Sequence, residues 1–407
     1  MDAFYASVEV LADPALAGKP VIVGGTGGRG VVASASYEAR AYGVHSAMPS
    51  ARARRLCPHA VFVAGRYSLY GDYSRRLHGI FRSVTPLVEG IALDEAFVDV
   101  AGAQRLLGEP HEIAALVRGR VHDELGLSAS VGVATTKFVA KLASEAAKPK
   151  ASRTGPVPGP GVWVVEPGTE LAFLHPLPVS ALWGVGPATR TRLERFGIAT
   201  IGDLAALPRE TLVGALGAAL GAHLHELAWG RDPRAVEPDR PTKSIGHEET
   251  YARDHHERPP LHREAVRLSD GVAARLQAAG LAGRTVTLKV RFGDFHTITR
   301  SRTLREPVAT GPEIARVAHA LIEAVDPSPG VRLLGVSASN LVPRPATQLT
   351  LEEGDRGERR WQGVGRAVEE VRRRYGDGAL GPAALLDEER GGVRLRRLGD
   401  QQWGPGE

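Results

Sequence analysis

Two adjacent carboxylates, Asp94 and Glu95, stand inside the otherwise apolar run Ala92-Leu93-Asp94-Glu95-Ala96-Phe97-Val98. Neighbouring side chains of a strand point to opposite faces, so both cannot be solvated residues of a buried sheet. A buried carboxylate needs a cation, a hydrogen-bond network or a bend that exposes it. A divalent cation, which takes oxygen ligands, meets that need; a solvated turn with Asp94 at its tip is the plainer reading. A second set of residues suits phosphate. Tyr37-Glu38-Ala39-Arg40 closes a strand and opens a helix, where a tyrosine hydroxyl and an arginine fork can converge on one anion. Lys137, Lys141 and Lys148 fall on one face of a helix whose apolar face carries Phe138 and Leu142. Lys148 sits just before Pro149, where a cation complements the helix dipole.

Leu182-Trp183-Gly184-Val185-Gly186-Pro187, followed by Leu193 and Phe196-Gly197-Ile198, has the form of a helix-hairpin-helix. Gly184 and Gly186 would let backbone N–H groups approach a nucleic-acid phosphate without reading bases. The strand from Thr297 to Leu304 sets Thr and Ser on one face and Ile298, Arg300, Arg302 and Leu304 on the other, so Arg300 and Arg302 can lie along a duplex backbone. No base-reading Asn/Gln helix is evident, and binding should be sequence-tolerant and salt-sensitive. Gly25-Thr26-Gly27-Gly28-Arg29-Gly30 matches G-x-G-x-x-G but leads into a strand, whereas a dinucleotide fingerprint opens a helix.

These residues need several elements to position them. The chain has 407 residues, more than one core normally serves. Residues 20–24 and 30–35 read as two strands, 116–125 and 137–147 as helices, and 128–134 as a buried strand between them. The stretch 155–161 is a loop, 167–232 a helical module, and 233–241 an extended linker with three prolines and four charges. Residues 243–342 form a compact α+β unit. Net charge is +5, mostly from arginine, which suits phosphate. The single cysteine, Cys57, excludes an internal disulfide framework and a cysteine zinc site and fits a reducing cytoplasm. No apolar run spans a membrane, and the first residues do not resemble a signal peptide.

Met1-Asp2-Ala3-Phe4-Tyr5-Ala6-Ser7-Val8-Glu9, the Tyr37–Arg40 block, Leu93-Asp94-Glu95-Ala96-Phe97, the Lys137–Pro149 segment and the hairpin at Gly184 occur in the order seen in the Y-family translesion DNA polymerases. The chain most resembles the DNA polymerase IV type, over about residues 1–345. The resemblance implies an α+β multidomain right hand: palm 1–4 and 66–166, fingers 5–65, helix-hairpin-helix thumb 167–232, linker 233–242 and an α/β-sandwich little finger 243–345. A tail, 346–407, follows.

The resemblance further implies a low-fidelity, template-directed DNA polymerase using primer–template DNA and deoxynucleoside triphosphates. It would act as a cytoplasmic, nucleoid-associated monomer without membrane contact. Asp94 and Glu95 would hold two Mg²⁺ ions, with Mn²⁺ as a substitute. Tyr37, Arg40 and Lys148 would contact the triphosphate. Phe4 and Tyr5 would lie beneath the nucleotide, Tyr5 as steric gate, with Ala33 and Ala35 as a loose roof. Gln348, Leu349 and Leu351 resemble a sliding-clamp peptide. Trp361, Val364, Val368, Val371 and Tyr375 share a helical face, packed on the protein itself or on a partner, and Arg372-Arg373-Arg374 reads as a solvated face. The family's first metal-binding aspartate precedes the residue matching Met1, at the end of an apolar strand absent from this sequence. Asp2 is displaced from that position by ~7 Å. The expectation is therefore that the reading frame starts upstream. As it stands, the chain would be a poor or inactive polymerase, alternatively an impaired homologue that only binds DNA and partners.

Overall fold

The computed structural model describes residues 1–238, 240–344, 364, 367–368, 370–372, 374–376, 379–387 and 392–393. The chain divides into two compact units, one essentially Met1–Arg240 and the other Pro241 onward, with the 26–30 loop grouped with the second.

In the first unit, helix α1 (Phe4–Ala12) leads to strands β1 (Val21–Gly24) and β2 (Val32–Ala35), then helices α2 (Tyr37–Arg40) and α3 (Ser50–Leu56) and strand β3 (Val61–Val63). β1 pairs antiparallel with β2 and parallel with β3. The 25–30 glycine loop thus joins two strands. Ile22, Val32, Ala35, Ala39, Met48 and Cys57 form a small core there, the cysteine sealed completely. Helix α4 (Tyr67–Val84) and the hairpin of β4 (Val88–Gly90) and β5 (Ala96–Val98) follow, then helices α5 (Gln104–Leu107) and α6 (Pro110–Leu125). α6 starts at a Glu109/Glu112 capping box and buries Ile113, Val117, Val121 and Leu125, one residue per turn.

Strand β6 (Val131–Val133) pairs in parallel with β7 (Val162–Val164), and helix α7 (Lys137–Ala146) lies between them in sequence. The packing of α7 on β6 depends on Gly132, where a Cβ would sit 2.0 Å from the Ala140 carbonyl oxygen. The expected buried strand 128–134 is shorter and half-buried. Its first residues are occupied by the chain start: Asp2 N donates to Ser128 O at 3.0 Å, and the Ser128 and Ser130 hydroxyls donate to the Asp2 carboxylate at 2.7 and 2.8 Å. Helices α8 (Glu170–Leu174), α9 (Pro187–Glu194), α10 (Ile201–Ala205), α11 (Arg209–Leu216) and α12 (Ala218–Ala228) pack around Leu193, Ile201, Leu204, Leu224 and Leu227, together with Phe138 and Val139 of α7.

The second unit is a four-stranded antiparallel sheet. Its strands are β8 (Ser244–His255), β9 (Leu281–Phe292), β10 (Thr297–Val308) and β11 (Val331–Pro343), in the order β10-β9-β11-β8. Helices α13 (Arg258–Ala278) and α14 (Gly311–Ile322) cover one face, burying Leu261, Ala265, Leu268, Val272 and Leu276 of α13 against alternate β9 residues Val286, Leu288, Val290 and Phe292. Of the C-terminal helix face, Val364 and Tyr375 are exposed, and Val368 and Val371 are half-buried. Arg372, expected on a solvated face, instead pairs with Asp270 of α13 at 3.0 Å. Among the described residues no helix is long and apolar enough to cross a membrane.

His247 of β8 faces Gly271 of α13, and its Nδ1 is buried without a hydrogen-bond partner. Burial, with Arg267 and Arg275 nearby, lowers its pKa from 6.5 to about 4. Between those values the unfolded chain binds a proton here that the folded chain refuses, so stability rises with pH and is lost as pH falls from 6.5 towards 4. Thermal melts of the full chain should show this slope, and His247→Gln should flatten it. Parallel curves for the two proteins would mean that His247 titrates normally.

Candidate active site

The apolar run around Asp94 does not continue as a strand. β4 and β5 pair with Glu89 opposite Phe97, and the chain turns over Ile91–Glu95, closed by Ile91 N to Glu95 O at 2.8 Å. The bend puts both carboxylates in the turn, the Asp94 side chain 23% exposed and the Glu95 side chain 33% exposed. The Ser74 hydroxyl of α4 pins the turn through Leu93 O at 2.5 Å. The two neighbours titrate in opposite directions. Burial and the Glu95 charge raise Asp94, against the lowering effects of the Met1 ammonium and Lys148. Burial also raises Glu95, but its hydrogen bond from Lys141 at 2.7 Å outweighs this and holds it low. The Met1 nitrogen donates to Asp94 O at 3.1 Å and lies 3.7 Å from Asp94 Oδ2.

The phosphate-type residues gather on the same unit. Ser36 caps α2, accepting from Ala39 N at 3.4 Å. Arg40 Nε donates to Ala35 O at 2.9 Å, and its guanidinium lies 4.7 Å from the Tyr37 ring centre. The Tyr37 hydroxyl is buried and makes no hydrogen bond. Burial and Asp2, opposed by Arg40, push its pKa up to about 12. Lys148 Nζ donates to Glu145 at 2.5 Å and is close enough to lower both Asp94 and Glu95. Glu145 in turn acts on Tyr37. A continuous set of charges therefore joins the Asp94–Glu95 turn, Lys148, Tyr37 and Arg40. The three lysines do not share a helical face as expected: α7 ends at Ala146, so Lys148 lies beyond it. Each lysine has its own carboxylate, with Lys137 on Glu89 at 2.6 Å.

Tyr5 lies near Asp94; burial first, then that carboxylate, raises its pKa. Its ring stacks on Tyr70 at 4.4 Å and 20°. Phe4 differs from expectation: at 4% exposure its ring lies in the core and offers no surface beneath a ligand. Ala35 is likewise fully buried, leaving Ala33 as the half-exposed residue of the pair. Ala3 adopts φ +47°, a left-handed turn that swings the chain from Met1–Asp2 into α1. Three partners escape a reading of the sequence. Glu9 of α1 is buried and receives Arg66 and Tyr70, Lys141 holds Glu95, and Glu89 accepts both Lys137 and Glu237 N. Each pair spans 46 residues or more, so no local pattern marks it; a lone acid in an apolar helix face was the available signal for Glu9.

Gly184, at φ +95°, and Gly186 form the turn before α9. The first limb of this helix-hairpin-helix is a single 3₁₀ turn, Val179–Ala181. Trp183 is covered by Arg234 of the linker at 5.1 Å. Arg300 and Arg302 are exposed on β10, the edge strand of the second unit. Gln348, Leu349, Leu351 and Arg373 lie outside the described residues.

The donor set fits a hard divalent cation in kind. Two carboxylates in one turn, with substrate phosphates and water completing the shell, is an ordinary way to hold Mg²⁺. Among the described residues no group of three or more acidic, histidine or cysteine side chains is placed to bind a metal.

Residues 1–145 match the impB/mucB/samB family, residues 242–351 that family's C-terminal domain, and residues 180–232 the DNA polymerase-iota thumb domain. The chain is 44% identical to DNA polymerase IV 2 of Mesorhizobium japonicum, over 94% of this chain and 92% of that one. It is 46% identical to DNA polymerase IV of Streptomyces coelicolor, over 88% and 73%. Among solved structures, a Y-family DNA polymerase chimera containing Dbh matches with a TM-score of 0.74 at 24% identity, covering 84% of this chain and 97% of that one. The insertion ternary complex of Dbh DNA polymerase matches at 0.59, with 23% identity and the same coverage. At those identities the likeness to the structures is one of fold, an α+β multidomain chain. With the relatives aligned along nearly its whole length, the chain belongs to the Y family of DNA polymerases, in its DNA polymerase IV branch.

Proposed function

We propose that the chain carries out translesion DNA synthesis at the Asp94–Glu95 turn. The observation that supports this most is the convergence of that turn with Tyr5, Tyr37, Arg40 and Lys148 on one unit. Asp94 and Glu95 are the proposed ligands of two Mg²⁺ ions, with Mn²⁺ as a substitute. When bound, the metal neutralises developing charge and makes the primer 3′-hydroxyl a better nucleophile. The hydroxyl gives up its proton to solvent, its oxygen bonds to the α-phosphorus of the incoming nucleotide, the bond from that phosphorus to the α–β bridging oxygen breaks, and pyrophosphate leaves with the electron pair. Lys148, Arg40 and the unpartnered Tyr37 hydroxyl donate to the triphosphate, and Lys141 holds Glu95 ionised.

The elements are assigned as palm around the β4–β5 turn and α7, fingers over 5–65, thumb over 167–232 and little finger over 243–345. Gly184, Gly186, Arg300 and Arg302 grip the backbone of primer–template DNA. Gln348, Leu349 and Leu351 are the proposed clamp-docking peptide, and the protein is proposed to work as a monomer in the cytoplasm beside the nucleoid. Primer extension on a primed template, with Mg²⁺ and with Mn²⁺, tests the reading; no incorporation with either metal would overturn it.

Tyr5 is the proposed steric gate, with Phe4 packing behind it. Removing the ring should admit the ribose 2′-hydroxyl, and discrimination by an apolar wall against one hydroxyl is on the order of 10²-fold. Tyr5→Ala should therefore cut the preference for a deoxynucleotide over its ribonucleotide by roughly tenfold to a hundredfold. The ratio of the two kcat/KM values measures it, and an unchanged ratio would place the gate elsewhere.

A further inference from the structure

The β9–β10 hairpin turns over Gly293-Asp294-Phe295-His296, and its tip is not what folding alone favours. Phe295 holds φ +69° although it is neither glycine nor asparagine, and its ring is 63% exposed. Strain at a bulky residue, with no burial to offset it, marks a position kept for something other than stability. The tip is also rigid. Phe295 N donates to Phe292 O at 3.0 Å, the Asp294 carboxylate accepts from His296 N at 2.8 Å, and the Phe292 and His296 rings stack at 6.0 Å and 19°. The Arg332 guanidinium lies 4.7 Å from the Phe295 ring centre. From this tip β10 runs away as an edge strand with exposed Thr299, Arg300, Ser301 and Arg302, beginning about 10 Å along it.

A flat, fixed, exposed ring beside a cation, leading into an edge strand whose exposed Arg300 and Arg302 share one face, is an arrangement suited to single-stranded nucleic acid. One base stacks on the ring and the strand's phosphates follow the basic groups. We infer that Phe295 is a stacking platform for an unpaired base of single-stranded DNA, held by Arg332 and continued by Arg300 and Arg302. A protein partner fits less well, because Arg332, Asp294 and His296 adjoin the ring. Duplex DNA hides its base faces, so the platform selects single strands. The inference deepens the DNA-binding reading of the sheet and rests on it.

The test uses the full chain and two fluorescein-labelled probes, an oligothymidine and a blunt duplex, read by anisotropy at one salt concentration. Phe295→Asn should bind the single strand at least about fivefold more weakly, the low end of the loss of one stacked base. It should bind the duplex like the wild type and melt at a higher temperature, because asparagine tolerates this φ. Phe295→Trp should retain single-strand binding. Unchanged single-strand affinity in Phe295→Asn, an equal loss on both probes, or a loss accompanied by a lower melting temperature would each overturn the inference. Wild-type failure on the duplex as well would count against the DNA-binding reading beneath it.

Discussion

Asp94→Ala should abolish measurable primer extension, a fall of about 10³-fold or more, because metal-borne charge stabilisation amounts to several kcal/mol and each 1.36 kcal/mol is tenfold. Glu95→Ala should fall nearly as far. The cause is local. The two carboxylates share one turn pinned by Ser74, with Lys141 bonded to Glu95 and Lys148 close enough to act on both. Loss of activity alone would not separate a ligand from a structural residue, so Mn²⁺ binding followed by electron paramagnetic resonance is the companion measurement. Asp94→Ala should bind the ion weakly while melting like the wild type. If Mn²⁺ affinity stays the same and extension persists, the metal is held elsewhere and the turn is only a turn.

The second large effect is on stability. Glu9 is buried in α1 and accepts from Arg66 Nε at 3.0 Å, from the same guanidinium's terminal nitrogen, and from the Tyr70 hydroxyl. Tyr70 is fully buried, and burial together with Glu9 holds its hydroxyl far above the ordinary tyrosine range. Glu9→Ala leaves that hydroxyl without a partner and opens space between α1 and α4. Arg66 is half-exposed and can recover water. The expected loss is therefore about 2 to 4 kcal/mol, below the full cost of orphaning a wholly buried pair. Urea unfolding of the full chain measures it. Because Tyr70 is the surface on which Tyr5 stacks, the same variant should also lose sugar discrimination. A shift under about 1 kcal/mol would mean that water already reaches the network.

The residues of the site were readable because their types are unusual where they stand: acids in an apolar run, a tyrosine and an arginine at a helix start, a lysine at a helix end. What was not readable is what pairs with them. Lys141 was visible as a charge, but its bond to Glu95 depends on how α7 packs on β6, through a glycine that nothing in the local pattern singles out. Phe4 and Tyr5 look alike in sequence, but as successive residues of α1 they point about 100° apart, so one ring enters the core and the other lies near Asp94. The second unit was legible as a compact α+β unit, while the apolar spacing in α13 and the alternation in β9 that build its core emerge from the structure. The ion pair of Arg372 was not, since a run of three arginines reads as solvated whatever it meets.

Sulfur is scarce here and hidden. The sequence holds one cysteine and two methionines. Cys57 is fully buried, Met48 is 2% exposed and the Met1 side chain is 2% exposed. Thiols and thioethers are the side chains that peroxide attacks first, and attack requires access. An oxidising insult that scars a template would find almost nothing soft to attack on the enzyme sent to copy past the scar.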